Sequence, residues 1–182
     1  MRTIYVVTTG GTIEKRYSEQ AGAVLNEGNK IGQYLERLRL PDTDVQVIPV
    51  MNKDSLEMTA EDRAELVARL AELLPARNPI VVTHGTDTMA ETGIYIQQAF
   101  PGLEVPVVLT GAMRPLGFEG SDGLQNLTES LLAARLLAPG VYIAIHGQVF
   151  PADRAEKDRE LGTFVSTGGA GGEMTGAIDG SV

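Results

Sequence analysis

The chain of 182 residues contains no cysteine. Disulfide staples, thiolate nucleophiles, iron–sulfur clusters and thiolate zinc sites are therefore excluded together. Histidine is scarce: His84 and His146 are the only two. A Ser-His-Asp arrangement has just those positions to draw on. Both precede a glycine at the end of an apolar run, a setting in which an imidazole often hydrogen-bonds the backbone. Basic charge is also short, with 15 Lys and Arg against 24 Asp and Glu and a formal charge of −9. Nucleic acid and anionic membranes both reward a basic face, so neither is an expected partner. The N-terminal "MRTIYVVTTGG" reaches glycine too soon for a signal peptide or a membrane span, and a cytoplasmic location is expected. No internal repeat or low-complexity linker breaks the chain before residues 166–182, "STGGAGGEMTGAIDGSV". The expectation is one domain over 1–182 with a glycine-rich tail.

What is present is regular. Short, branched, nearly all-apolar runs recur at Ile4–Thr8, Val45–Val50, Ile80–Thr83, Val105–Thr110 and Val141–Ile145, the pattern of parallel strands covered on both faces. Helical spacing lies between them at Ile31–Leu38, Glu61–Leu74, Thr86–Phe100 and Gly123–Leu137, with Thr59 placed to cap the second of these and Asp62 three residues on. Alternating strand and helix predicts a doubly wound, mainly parallel, flavodoxin-like α/β sheet with helices on both faces.

Ligands bind such sheets outside the carboxyl ends of the strands. The five exits read "TTGGT", "MNKDSLEMT", "THGTDTM", "TGAMRP" and "HGQVFPADRAEK", and small and polar residues collect at each. The first exit lacks the Lys-Ser/Thr of a P-loop and the spacing of a dinucleotide fingerprint. It offers Thr12, a hydroxyl in a loop that Gly10 and Gly11 let other groups approach closely. A threonine needs an activating partner to attack at neutral pH. Thr86 and Asp87 stand at the start of a predicted helix, where Asp87 suits either a helix cap or the orientation of a lysine serving as base for Thr86. Lys157 is the best-placed lysine, and "ADRAEKDRE" around it also reads as a solvated charge run.

"TTGGTIEK", "KDSLEMT", "VVTHGTDTMAET" and "LTGAMRPLGFEGSDGLQNL" occur in this order over about residues 3–165. They resemble the amino-terminal domain of the bacterial-type L-asparaginase/glutaminase family. The resemblance implies an asparaginase N-terminal fold and hydrolysis of L-asparagine to L-aspartate and ammonia through an acyl-enzyme, without metal or cofactor, with weaker action on glutamine. It makes Thr12 the nucleophile, Tyr17 its polarising partner, and Thr86, Asp87 and Lys157 the proton-handling group. Substrate contacts implied are Gly11, Asp54, Ser55, Thr86, Asp87 and Ala112. Ser55 would hold the α-carboxylate and Asp87 the α-amino group. Gly22 and Gly28 flank a segment that would close over the substrate.

Three departures accompany the likeness. Common family members are nearly twice as long, so this sequence resembles a short form lacking the C-terminal domain, or a truncated one. Tyr17 comes only five residues after Thr12, a spacing similar to the short forms. Leu56 stands where many longer members carry glutamine, which predicts weaker substrate binding by about the ~1 kcal/mol of a net hydrogen bond. Family sites usually lie at subunit interfaces, implying a homo-oligomer. The competing readings are a silent amino-acid-binding sensor, an amidase serving an amidotransferase, and a flavodoxin-like nucleotide binder.

Overall fold

The structure is a computed structural model describing residues 1–20, 22–26 and 30–168. In chain order it contains β1 (Arg2–Gly10), β2 (Lys15–Ser18), β3 (Ala23–Asn26), α1 (Lys30–Leu35), β4 (Thr43–Lys53), α2 (Ala60–Leu73), β5 (Ile80–Thr83), α3 (Met89–Ala99), β6 (Pro106–Thr110), α4 (Gly123–Leu136), β7 (Gly140–Ile145), β8 (Gln148–Pro151), β9 (Ala155–Asp158) and β10 (Thr163–Ser166). The main sheet runs β4-β1-β5-β6-β7-β8. Its first five strands are parallel and β8 is antiparallel to β7. Counting only the parallel strands, the order is 2-1-3-4-5, the flavodoxin-like winding the sequence predicts. The order reverses between β1 and β5, which opens a crevice at their carboxyl ends.

Strand alternation builds two cores. Ile4 and Val6 of β1 and Val81 of β5 face one side, packed with Ile31, Leu35, Leu127 and Leu131 of α1 and α4. Val7, Ile80 and Val82 face the other, packed with Leu66, Leu70, Met89 and Ile96 of α2 and α3. Period-two geometry applied to an all-apolar strand gives each helix layer an apolar seat. Burying each such Leu or Ile stabilises the fold by roughly 1.5–3 kcal/mol before entropy is counted.

The N-terminus of α2 forms as predicted. The Asp62 amide donates to Thr59 Oγ1 at 3.3 Å, and the Thr59 amide donates to Asp62 Oδ2 at 2.8 Å, a reciprocal capping box. Helix α3, by contrast, starts at Met89 rather than Thr86. Thr86–Thr88 form the turn before it, so Asp87 is not a helix cap.

Three hairpin features go beyond the predicted elements: β2–β3, the antiparallel β8, and β9–β10. Gly28 and residues 169–182 of the tail lie outside the described residues.

Candidate active site

Backbone contacts gather the site. Gly10 and Gly11 end β1 with φ of 97° and 80°, a region that L side chains avoid. A Cβ placed on Gly11 would lie 2.4 Å from the Gly85 nitrogen, and one on Gly85 would lie 2.5 Å from Ser55 Oγ. The exits of β1, β4 and β5 are therefore in direct contact through two glycines. Thr12 follows one glycine of the touching pair and Thr86 follows the other. The Gly11 N–H donates to the Lys53 carbonyl at 2.8 Å, and Thr9 Oγ1 donates to the Thr83 carbonyl at 2.8 Å, fixing the same convergence.

Lys157 reaches this point from β9. Its Nζ donates to Thr86 Oγ1 at 2.7 Å and to Asp87 Oδ1 at 3.0 Å. Thr86 is 4% exposed, and the lysine and aspartate side chains are largely enclosed. The register pairs Lys157 with Phe164 of β10, a residue buried in the core. That anchorage carries an ammonium out of the charge run and onto a threonine hydroxyl.

Asp54 and Ser55 occupy the exit of β4. Asp54 Oδ1 accepts the Leu56 amide at 3.1 Å, and Asp54 Oδ2 accepts Lys15 Nζ at 2.6 Å. The Lys15 hydrogen bond leads the effects that hold the Asp54 carboxyl below its ordinary range, and the charge of Lys157 adds to them. That last effect places Lys157 within electrostatic reach of the β4 exit as well. Ser55 is fully enclosed, and among the described residues its hydroxyl, like Thr83 Oγ1 and His84 Nε2, has no hydrogen-bond partner. Leu56 points outward, 67% exposed. Ala112 is buried in the "GAMRP" loop after β6.

Of the five residues expected to carry chemistry, Thr86, Asp87 and Lys157 form one hydrogen-bonded group, and Thr12 is tied to it through the Gly11–Gly85 contact. Tyr17 stands apart, 53% exposed on β2. His84 behaves as a backbone-bonding histidine. It is wholly buried, its Nδ1–H donates to the Gly85 carbonyl at 2.7 Å, and burial pushes its pKa down to about 4. Among the described residues, no group of three or more His, Asp and Glu side chains could hold a metal ion. Among them, too, no helix is long and apolar enough to cross a membrane.

Two residues of the site were missed in the sequence. Arg159 Nη2 forms an ion pair with Asp87 Oδ1 at 2.8 Å, so one carboxylate oxygen faces two cations. Arg159 lies in the turn just past β9, so strand periodicity does not point to it. Glu14 is 3% exposed two residues after Thr12. Burial raises its pKa to about 7, opposed by the Gly10 backbone hydrogen bond. Nothing in the sequence distinguishes Glu14 from an ordinary surface glutamate.

The fold and the Thr86–Asp87–Lys157 group define a flavodoxin-like α/β domain with a hydroxyl–lysine–carboxylate cluster at its strand exits. The chain matches the family described as "Asparaginase, N-terminal" over residues 3–169 and belongs to it. The L-asparaginase of Thermococcus kodakarensis is 31% identical over 159 residues, covering 87% of this chain and 48% of that protein. One component of the glutamyl-tRNA(Gln) amidotransferase of Aeropyrum pernix is 34% identical over 151 residues, covering 80% of this chain and 35% of that one. The solved structure of the thermostable T. kodakarensis L-asparaginase superposes with a TM-score of 0.80 at 30% identity, covering 90% of this chain and 51% of that one. The chain thus spans about half the length of the asparaginases it matches, or less in the case of the amidotransferase component.

Proposed function

We propose that this chain hydrolyses the side-chain amide of L-asparagine, with L-glutamine as a weaker substrate. The observation that carries the reading is the Lys157 Nζ bridge between Thr86 Oγ1 and Asp87 Oδ1 beside the Gly11–Gly85 contact. Thr12 Oγ1, polarised by the Tyr17 phenol, attacks the amide carbon; its proton passes to the amide nitrogen, the C–N bond breaks and ammonia leaves. Water then attacks the Thr12 ester, giving a proton to Thr86 Oγ1 as the Thr86 hydroxyl proton passes to Lys157 in its neutral amine form. That proton returns to Thr12 Oγ1 as the ester C–O bond breaks. Aspartate leaves and the Thr12 hydroxyl is restored. Backbone groups at Gly11 and Ala112 surround the amide; the Gly11 N–H is given to the Lys53 carbonyl, so a backbone N–H other than that of Gly11, together with Thr86, stabilises developing oxyanion charge. The unpartnered Ser55 hydroxyl receives the α-carboxylate and Asp87 the α-amino group, with Asp54 beside them. The steps as written draw on neither a metal nor a redox cofactor.

The test is ammonia release from both amides by the wild type, Thr12→Ala and Lys157→Met, run beside a measurement of solution mass. Activity in the wild type and its loss in both variants supports the reading, and a mass above that of one chain supports a homo-oligomer. Tight amino-acid binding without turnover would replace it with a sensor. The 34% identity to an amidotransferase component favours one second reading: amide hydrolysis that feeds ammonia to a partner protein. Under it, the isolated chain would turn over slowly and accelerate only when that partner is added.

A further inference from the structure

A second hydrogen-bonded chain lies along the β7 exit, separate from the residues assigned above. Asp122 precedes α4, and its Oδ1 accepts the Arg114 amide while its Oδ2 accepts the Met113 amide, each at 2.9 Å. The same Oδ2 accepts Asn126 Nδ2 at 2.9 Å and His146 Nε2 at 2.8 Å. On the far side of the imidazole, His146 Nδ1 meets Thr163 Oγ1 at 2.8 Å. Burial pulls the Asp122 carboxyl upward, but the Met113 amide, His146 and the Arg114 amide together hold it below its ordinary range. An ionised Asp122 only accepts, so Nε2 carries the hydrogen. In the neutral imidazole Nδ1 is then an acceptor, and the Thr163 hydroxyl donates to it.

The backbone is bent to make this bridge. His146 has a φ of 51°, in the left-handed region, and a non-glycine residue persists there only when its surroundings hold it. The His146 N–H donates to Asn126 Oδ1 at 2.9 Å, and Asn126 Nδ2 also donates to the Gly111 carbonyl at 3.0 Å. One network therefore grips Gly111, Met113 and Arg114, which flank Ala112, and ends on Thr163. Thr163 pairs with Asp158 across the β9–β10 hairpin, one rung from Lys157. The order Asp–His–Thr is that of a nucleophile relay, but the Gly147 N–H beside it is already given to Glu129 Oε2 at 2.7 Å. The network shows a bridge between two elements and lacks the pair of free donors an oxyanion would require.

We infer that His146 and Thr163 are positioning residues whose hydrogen bond clamps the β9–β10 hairpin, and with it the Lys157 ammonium, to the loop carrying Ala112. The catalytic half of this inference rests on the amidase reading above; the mechanical half does not. Displacing a catalytic group by about 1 Å can cost on the order of 100-fold in rate, and the clamp adds a tie at the β10 end of the hairpin to those that the Phe164 and Ala155 anchors and the bonds to Thr86 and Asp87 give Lys157.

The experiment pairs kinetics with amide hydrogen exchange on the whole chain, using Thr163→Val, Thr163→Ser and His146→Asn. Asparagine tolerates the left-handed backbone of position 146, so that variant removes the imidazole bridge without straining the turn. Exchange over residues 155–166 is expected to quicken at least tenfold in Thr163→Val and His146→Asn, with α2 unchanged and Thr163→Ser near wild type. The kcat for ammonia release is expected to fall about tenfold in the first two, with KM within twofold and recovery in Thr163→Ser. Unchanged hairpin exchange overturns the clamp. Faster exchange with unaltered kcat overturns the positioning role. A wild type that releases no ammonia removes the amidase reading, and the exchange result still decides whether the clamp exists.

Discussion

On one side of the site, Thr86, Asp87 and Lys157 are enclosed and already joined by hydrogen bonds of 2.7 and 3.0 Å. On the other, Tyr17 stands 53% exposed on the β2 hairpin, and Thr12 sits in a short turn reached through two glycines of positive φ. The enclosed side is tied into the protein by core residues, Phe164 opposite Lys157 and Met89 just beyond the Asp87 turn. The open side is tied by backbone contact and by the Lys15–Asp54 ion pair. The difference has a physical logic. A partly buried ammonium persists only with its partners in place, so its side must be preassembled. An attacking hydroxyl is neutral and carries no such requirement, and its side can admit a ligand before closing around it.

Removing the ammonium should show the largest effect. Lys157→Met is expected to lower kcat for ammonia release by about 10³-fold, within the usual range for a proton-transfer group, while the protein stays folded. A loss below tenfold, measured with saturating asparagine, would mean that the enclosed side is structural rather than catalytic.

Gly11→Ala tests the joint between the sides. Its methyl would lie 2.4 Å from the Gly85 nitrogen at a φ of 80°, so it should cost roughly 2 kcal/mol or more and separate Thr12 from Thr86. Denaturant unfolding and kcat should fall together. Full activity in a destabilised protein would show that the two threonines need not touch through this contact.

Glu14, on the open side, makes that side sensitive to pH. Its folded pKa is raised to about 7 from the ordinary 4.5, so between these values the native state holds a proton that the unfolded chain has released. Stability from this group is fully present below about 4.5 and is lost as pH rises through 7, by about 3 kcal/mol in total. Glu14→Gln should flatten that decline, raising Tm at pH 8 more than at pH 5. His84 acts in the opposite direction. Its folded pKa of about 4 lies below the ordinary 6.5, so its contribution is lost as pH falls from 6.5 through 4. Because the two groups oppose each other between pH 5 and pH 8, the wild-type profile alone does not separate them, and a Glu14→Gln gain in Tm no larger at pH 8 than at pH 5 would contradict the Glu14 assignment.

The smallest effect belongs to Arg159, 70% exposed over Asp87. If Asp87 receives the substrate's ammonium, the guanidinium competes for it. Arg159→Ala should then lower KM for asparagine about threefold, in keeping with the modest worth of an exposed pair. A higher KM would instead make Arg159 a substrate contact.

The parallel strands were legible because an all-apolar run of four to six residues has few other uses in an α/β chain. Ile80–Thr83 is a strand at the predicted boundaries, and Thr59 with Asp62 caps α2 through purely local contacts. Strands β2, β3, β9 and β10 were not legible. Each is four residues long and pairs only with its hairpin partner. Their polar residues match a charge run or a loop equally well. Helix α3 was placed three residues early because "TDT" scores as a helix start, whereas the Lys157 and Arg159 cations draw Asp87 into a turn.

Residue order alone settled the order of the five parallel strands, the two-faced core and the clustering of small and polar residues at strand exits, since periodicity and steric bulk act over a few neighbours. Only the tertiary structure decided which exits touch, that Lys157 is a partner of Thr86 rather than a solvated charge, and that Glu14 is buried. Those outcomes depend on groups as far apart in sequence as Thr86 and Lys157 meeting in a low-dielectric space, and no local pattern encodes that.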